Sequence, residues 1–395
     1  MKHKAVVLLN FGGPRNLDEV EGFVYEILRD PNTLQVPFPQ WGQNLLAARI
    51  ARRRGPEVRA QYGVIGGKSP IVEATRTIAL ALAGALAGPL AAEGPSPASQ
   101  VRVYAAHRYL PGWAEDTARQ AVADGMEELL LVPLYPHFSY TTTGSSLAQF
   151  GAALARAGFR GRVTALRGYA DHPSYLDAME ARLKETLQGS GLSPKGTLVL
   201  CSAHGLPRVY VRRGDPYVDE LNKTMEGLRA RFRDWTFLLS FQSRVGPMEW
   251  LKPYTDQVIP TLPGQGVRQL VFLPLAFVND HIETLYEVGH TYFQLAKSHG
   301  LVPYRVGAVE AHPAFISALA DITRQWLKDN PPGQPKPAGG KKAKQAAPQW
   351  TPRLLPLEVL LPPSQWRRRH LPWIGLVLAA GLLVAGLLAA GTATV

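Results

Sequence analysis

Eight short apolar runs, most of them separated by stretches long enough for a helix, constrain the fold more than any other feature. Alternation of strands and helices predicts a parallel sheet covered by helices on both faces, because each crossover between parallel strands needs a long connection. The sequence therefore predicts an α/β protein. The runs lie at 5–11, 101–106, 128–135, 162–167, 197–203, 235–241, 269–277 and 304–309, and the helix-length stretches include 70–91, 114–125, 173–188 and 217–233.

The loops that follow the runs show a similar order in the two halves of the chain. This order predicts a duplicated α/β unit, with halves at 1–165 and 166–330 that contribute four strands each. Ligands bind beyond the carboxyl ends of parallel strands, so a cleft between the halves is the expected binding site. The paired segments are Asn10–Pro14 with Ala203–Pro207, His107–Trp113 with Gln242–Trp250, and Val132–Phe138 with Leu273–Asn279.

The positive charge of the chain lies mostly near its C-terminus. The formal net charge is +12, and residues 331–372, with eight Lys or Arg and the single acid Glu358, contribute +7 of it. This distribution argues against a nucleic-acid partner, which would need basic residues across the folded body. Cys201 is the single cysteine, so neither an internal disulfide nor a thiolate cluster can form.

A long apolar run near the C-terminus predicts a membrane tether. Residues 373–391 are uncharged and consist mostly of Leu, Ala, Gly and Val, and about 20 such residues span a bilayer. Trp366 and Arg367–Arg369 precede the run, which favours a cytoplasmic body tethered to the inner membrane. Residues 331–365, rich in Pro and Lys, are expected to form a flexible linker. The alternative is an apolar helix docked on the body.

Two histidines, His204 and His281, stand where apolar runs end. If a helix begins near Asn279, then Glu283 and Glu287 are four residues apart and lie on one face. Histidine with carboxylates suits proton transfer or transient binding of a divalent cation such as Fe²⁺. The competing interpretation is a hydrogen-bonded structural histidine, with Asp280 as a helix cap.

Two segments of the first half are candidates for a ligand-binding lip. Arg52–Arg54, followed by Tyr62 and Ile65–Pro70, is basic and partly apolar, which suits a flat anionic ligand or a membrane surface. A solvated run of charges is the alternative. Asn10–Pro14 lacks the Lys-Ser/Thr of a phosphate loop, so we interpret it as a tight turn that places Phe11 at the cleft.

Seven segments, in order across residues 4–326, resemble the ferrochelatase family. Members of this family insert Fe²⁺ into a porphyrin at the end of heme synthesis. The resemblance implies a chelatase-like fold of two Rossmann-like domains, each with a four-stranded parallel sheet flanked by helices. The segments are Leu9–Pro14, Gln61–Pro70, Tyr135–Ser146, Ser202–Pro207, Arg213–Tyr217, Phe241–Pro247 and Asp280–Glu287.

The resemblance also implies roles for individual residues. His204 and Glu283 match the family's catalytic and metal-contacting pair. Asp280, His281 and Glu287 match the supporting residues and the proton path. The positions that match porphyrin contacts are Phe11, Arg54, Tyr62, Ser69, Arg108, Tyr109 and Trp250.

Fe²⁺ is then a substrate, and no permanently bound cofactor is expected. No iron–sulfur cluster is expected either, because the C-terminal region lacks cysteines. The implied porphyrin is protoporphyrin IX, supplied by an upstream porphyrinogen oxidase. The alternatives are a coproporphyrin III ferrochelatase, a non-catalytic porphyrin or heme carrier and, more distantly, a cobalt chelatase acting on a corrin precursor.

Overall fold

The computed structural model describes residues 3–31, 39–87, 101–244, 248–330 and 353–356. The strands are β1 (Lys4–Asn10), β2 (Arg102–His107), β3 (Glu128–Pro133), β4 (Arg162–Leu166), β5 (Thr197–His204), β6 (Thr236–Gln242), β7 (Gln269–Pro274), β8 (Val302–Arg305) and β9 (Leu354–Pro356). The α-helices are α1 (Val20–Arg29), α2 (Gln40–Val64), α3 (Ile71–Ala87), α4 (Trp113–Ala123), α5 (Ser145–Arg156), α6 (Pro173–Gly189), α7 (Arg208–Arg212), α8 (Tyr217–Arg231), α9 (Thr255–Val258), α10 (Phe293–Ser298) and α11 (Pro313–Asp329). Short 3₁₀ turns lie at Leu17–Glu19, Ile259–Thr261 and Pro263–Gln265, and π-helices at Tyr140–Gly144 and Glu283–Tyr292.

The strands form two sheets with the same order of parallel strands. The first sheet has the order β2-β1-β3-β4-β9 and the second has the order β6-β5-β7-β8. The α/β fold with parallel sheets and flanking helices is therefore confirmed, and the shared order is the one a duplicated unit predicts. In each half the second strand is added on one side of the first strand and the third strand on the other side. Ligand crevices form at such a switch point, so they open beyond β1 and β3 and beyond β5 and β7.

Three details of the sequence-based prediction are wrong. The first sheet has a fifth strand, because β9 pairs antiparallel with β4. This strand lies inside the segment 331–365, so those three residues are not flexible linker. Strand β8 begins at Val302, two residues before the predicted run at 304–309.

The predicted membrane helix at 373–391 lies outside the described residues, as does the rest of the predicted linker. Of the helices in the part of the chain that the structure describes, none is long and apolar enough to cross a bilayer.

One hydrophobic core joins the two halves. It contains side chains from both sheets, such as Leu8 of β1 and Cys201 of β5. Helices α3, α6 and α11 lie against it and contribute Ile78, Leu183 and Trp326, all fully buried. Sliding the halves apart would expose this apolar surface to water, so the core holds the two sets of strand ends at a fixed separation. The division into two separate domains stays a prediction.

Strand β9 leads to a prediction about truncation. A chain ending at residue 330 is expected to fold, but to be about 1 to 2 kcal/mol less stable than a chain ending at 356, because it loses the strand hydrogen bonds and the contacts of Arg353. The Arg353 guanidinium lies 3.1 Å from Glu220 Oε1 and 3.5 Å from Asp171 Oδ2. Urea unfolding of both chains measures the difference.

Arg353→Ala in the 1–356 chain removes the ion pairs but keeps the strand pairing, so its unfolding shows how much each contributes to the difference in stability. Equal stability of the two truncated chains would show that β9 adds nothing to the body. Failure of the 1–330 chain to fold would show that the tail belongs to the core.

Candidate active site

The end of β5 and the start of the long π-helix bring the two main candidates together. His204 is the last residue of β5, and its Nδ1 lies 2.8 Å from Oε2 of Glu283. The chain turns sharply after His204 at Gly205, where an added Cβ would lie 3.0 Å from the carbonyl oxygen of Gln242 and 3.2 Å from the ring of Trp250. This turn leaves the imidazole partly exposed, at the carboxyl edge of the sheet.

Charge and burial have opposite effects on the pKa of His204. Burial alone would lower the pKa of the imidazole, but the negative charge of Glu283 and the hydrogen bond between them raise it above its ordinary value. We assign Nδ1 as the nitrogen that donates to the carboxylate. Nε2 is then the nitrogen available to accept a proton.

Glu283 is held through one of its two carboxylate oxygens. Besides His204, the side-chain amide of Gln242 donates to Oε2 at 3.3 Å, and the hydroxyl of Ser243 lies 3.4 Å from the same oxygen. Burial would raise the pKa of Glu283, but the charge and hydrogen bond of His204 lower it to about 2. Glu283 is therefore an ionised carboxylate at neutral pH.

Glu287 follows Glu283 along the π-helix Glu283–Tyr292. Hydrogen bonds in a π-helix join residues five apart, so residues four apart lie nearly one turn apart and share a face. The Glu287 carboxylate accepts hydrogen bonds from the Ser243 N–H and the Tyr292 hydroxyl, each at 2.9 Å. Burial and the charge of Glu283 raise the pKa of Glu287. The predicted row of carboxylates is therefore present, although this helix begins at Glu283 rather than near Asn279.

Asp280 and His281 fix the loop that precedes the π-helix. Oδ1 of Asp280 accepts hydrogen bonds from Arg305 and from the Thr284 hydroxyl, each at 2.7 Å. The backbone N–H of Glu283 donates to Nδ1 of His281 at 3.1 Å, and burial lowers the pKa of this histidine. Both side chains hold the first turn of the helix in place, a geometry that suits the supporting role predicted for them.

The first half places an aromatic cluster at the end of β1. The ring of Phe11 lies 4.6 Å from that of Tyr109 and 6.1 Å from that of Phe23, measured between centroids. Arg108 is almost fully buried and forms an ion pair with Asp30, whose carboxylate also accepts from the Tyr109 hydroxyl at 3.0 Å. In this structure Arg108 is engaged by the protein itself, and its contact with a porphyrin stays a prediction.

Tyr62 and Trp250 lie close to the His204–Glu283 pair. Tyr62 is buried on α2, and burial together with the charge of Glu283 raises the pKa of its phenol. The Trp250 ring centroid lies 6.4 Å from that of His204.

The contacts that the structure gives for Ser69 and Arg54 are with other parts of the first half. Ser69 is buried against Gly13, where an added Cβ would lie only 2.5 Å from the serine side chain. The Ser69 N–H donates to the Pro14 carbonyl at 2.8 Å, so this residue joins two loops. Arg54 lies 3.7 Å from Glu57, one turn further along α2. For both residues, porphyrin contact stays a prediction.

Four residues of this region were missed by sequence reasoning. Gln242 contacts Glu283, and Ser243 contacts both Glu283 and Glu287. Tyr292 contacts Glu287, and the Tyr217 hydroxyl donates to the His204 carbonyl at 3.1 Å. The position of Gln242 at the end of β6 was the available signal, because it matches that of His204 at the end of β5. Across the described ranges, no group of three or more His, Cys, Asp or Glu side chains is placed to hold a metal ion.

Comparison with known proteins identifies the family. The ferrochelatase family matches residues 3–327 of this chain. Ferrochelatase of Synechococcus sp. (strain JA-3-3Ab) is 38% identical over 346 residues, which are 86% of this chain and 98% of that protein. Those of Geotalea uraniireducens (strain Rf4) and Aquifex aeolicus (strain VF5) are each 35% identical, over 82% and 81% of this chain and 98% of each relative. This chain belongs to the ferrochelatase family and is a metal chelatase.

Proposed function

We propose that this chain inserts Fe²⁺ into protoporphyrin IX to give protoheme, the last step of heme biosynthesis, with His204 and Glu283 as its catalytic pair. The observation that carries the assignment of residues is the 2.8 Å contact between His204 Nδ1 and Glu283 Oε2 at the carboxyl end of the second sheet. Membership of the ferrochelatase family supports the reaction.

The chemistry requires a base on the pyrrole side. A free porphyrin carries two pyrrole N–H protons, and both must leave as the metal enters. His204 accepts the two pyrrole protons in turn at Nε2 and passes the first towards Glu287 and solvent before it takes the second. The charge of Glu283 stabilises the imidazolium that forms each time. A pocket that binds the macrocycle bent, with its nitrogen lone pairs exposed, favours the transition state over the planar substrate.

Glu283 is suited to meet the incoming metal. Its Oε2 accepts from three side chains, whereas none of the described residues donates a hydrogen bond to Oε1. We assign Oε1 as the transient contact of Fe²⁺, with Nε2 of His204 as a second contact while this nitrogen carries no proton, because imidazole and carboxylate ligands suit such divalent ions. Glu287, Asp280 and His281 form and support the acidic path behind this pair.

The porphyrin lies against the aromatic and basic groups around the cleft. Phe11, Tyr62 and Trp250 supply apolar surface, and Arg54 supplies positive charge for the propionates. A carrier that only stored porphyrin or heme would need this surface but would have no use for a partly buried carboxylate held against a histidine. This difference favours an enzyme over a carrier.

The same assignment has consequences for the cofactor, the location of the protein and the supply of its substrate. Iron is a substrate, and we propose no permanently bound cofactor. The apolar run at 373–391 supports a tether to the inner membrane with the body on the cytoplasmic side, which fits a hydrophobic substrate delivered by a porphyrinogen oxidase.

Fluorescence-monitored insertion of Zn²⁺ by the purified chain tests the proposal. With protoporphyrin IX and coproporphyrin III assayed in parallel, we expect insertion into both and a higher kcat/KM for protoporphyrin IX. Faster turnover of coproporphyrin III would replace the substrate assignment. Tight porphyrin binding with no insertion of Zn²⁺ or Fe²⁺ would favour the carrier.

A further inference from the structure

Ser243 adopts a backbone conformation that serine rarely takes. It follows the last residue of β6 and has a φ of 61°, in the left-handed region that favours glycine. Strained residues of this kind persist where the surrounding structure holds them, and they are common at functional sites.

The left-handed conformation directs two donors of Ser243 at one carboxylate. Its backbone N–H donates to Glu287 Oε1 at 2.9 Å, and its hydroxyl donates to Glu287 Oε2. The same hydroxyl lies 3.4 Å from Oε2 of Glu283. One residue therefore contacts both carboxylates of the π-helix from the neighbouring strand.

We infer that Ser243 is a positioning residue that sets the placement of Glu283 and Glu287 relative to each other during metal insertion. This inference rests on the proposed function. A hydroxyl has a single hydrogen to donate, so it cannot bind both carboxylates fully at once. Because the backbone N–H already holds Glu287, the hydroxyl is able to move between Glu287 and Glu283 as the metal arrives.

The role is confined to the metal side of the site. In the structure, Ser243 donates its hydrogen bonds to Glu283 and Glu287, the two carboxylates on the metal side. Loss of the hydroxyl should therefore slow insertion without weakening porphyrin binding. A purely structural serine would instead change stability, or both kinetic constants together.

Two substitutions distinguish the effect of losing the hydroxyl from the effect of the strained backbone. Ser243→Gly removes the hydroxyl and tolerates the left-handed φ freely, whereas Ser243→Ala removes the hydroxyl and keeps the strain. For Zn²⁺ insertion we expect kcat to fall about tenfold in both variants, as for the loss of one hydrogen bond to a charged group. The KM for porphyrin should stay within twofold of that of the unmodified chain.

The matched control is Ser240→Ala, on the same strand. The Ser240 hydroxyl is buried against that of Thr255 at 2.8 Å, and we expect this variant to keep its kcat. Thermal unfolding of all variants checks that the fold is intact, with the glycine variant at least as stable as the alanine variant.

The outcomes distinguish this inference from the proposed function. An unmodified chain that inserts no metal defeats the proposed function, and this inference with it. An active unmodified chain with a Ser243→Gly variant of equal kcat overturns the positioning role alone. A rise in porphyrin KM that accounts for the whole loss of activity overturns it as well.

Discussion

Replacing His204 with alanine is expected to abolish metal insertion while the chain still folds and binds porphyrin. The substitution removes the nitrogen that we propose as the acceptor of the pyrrole protons, and loss of a positioned general base costs about 10²- to 10⁴-fold in rate. The imidazole is partly exposed at the edge of the sheet, so its removal leaves no large cavity in the core. Zn²⁺ insertion measures the rate, and titration of porphyrin fluorescence measures binding.

The matched control for this experiment is His299→Ala. His299 is an exposed histidine that follows α10, outside the cleft, and its loss should leave the rate unchanged. Glu283→Gln keeps the size of the side chain but removes the charge that stabilises the imidazolium, so it should also slow insertion. Near-normal insertion by His204→Ala would remove this residue from the mechanism.

The position of the proposed catalytic pair at one edge of the second sheet was predictable because it depends on topology. Carboxyl ends of parallel strands meet at one edge of a sheet, so a polar residue ending β5 and another following β7 must lie near each other. Their apolar flanks identified the strands, which contain mostly buried residues. These two facts place His204 near the segment that follows β7. That Glu283, 79 positions further along the chain, is the residue in contact with it was implied by the family resemblance and not by the topology.

The role of Ser243 could not be predicted in this way. A serine after a strand is typical of an ordinary loop, and glycine is the residue that would have indicated a left-handed conformation. The π-helix was missed for a related reason. The apolar spacing of Glu283–Tyr292 does not separate a π-helix from an α-helix, so the start and pitch of this helix depend on packing.

Strand β9 shows the limit of composition as a guide. The segment 331–365 is rich in Pro and Lys, which predicts a linker, and three residues are too few for a strand pattern to stand out. Leu354–Pro356 nevertheless pair with the free edge of β4, because that edge offers unpaired backbone groups. The available edge, rather than any local signal, determines this strand.

Replacing Arg108 with alanine is expected to destabilise the fold strongly. The guanidinium is almost fully buried, forms an ion pair with Asp30, and donates to the Ser145 hydroxyl and to the Thr141 carbonyl, the last at 3.3 Å. Removing one partner of a buried pair leaves the other charge poorly compensated, which costs about 3 kcal/mol or more. Urea unfolding of the variant measures the loss in the free energy of unfolding.

An exposed pair of the same chemistry provides the control. Arg119 and Asp116 form an ion pair on α4 with both side chains more than half exposed, so Arg119→Ala should cost less than about 1 kcal/mol. Adding Asp30→Asn to Arg108→Ala removes the leftover charge and should recover part of the stability. If Arg108→Ala were instead as stable as Arg119→Ala but bound porphyrin weakly, Arg108 would act on the substrate, as the family resemblance implies. Asp30 would then be the partner of Arg108 in the absence of substrate, and the porphyrin would take its place.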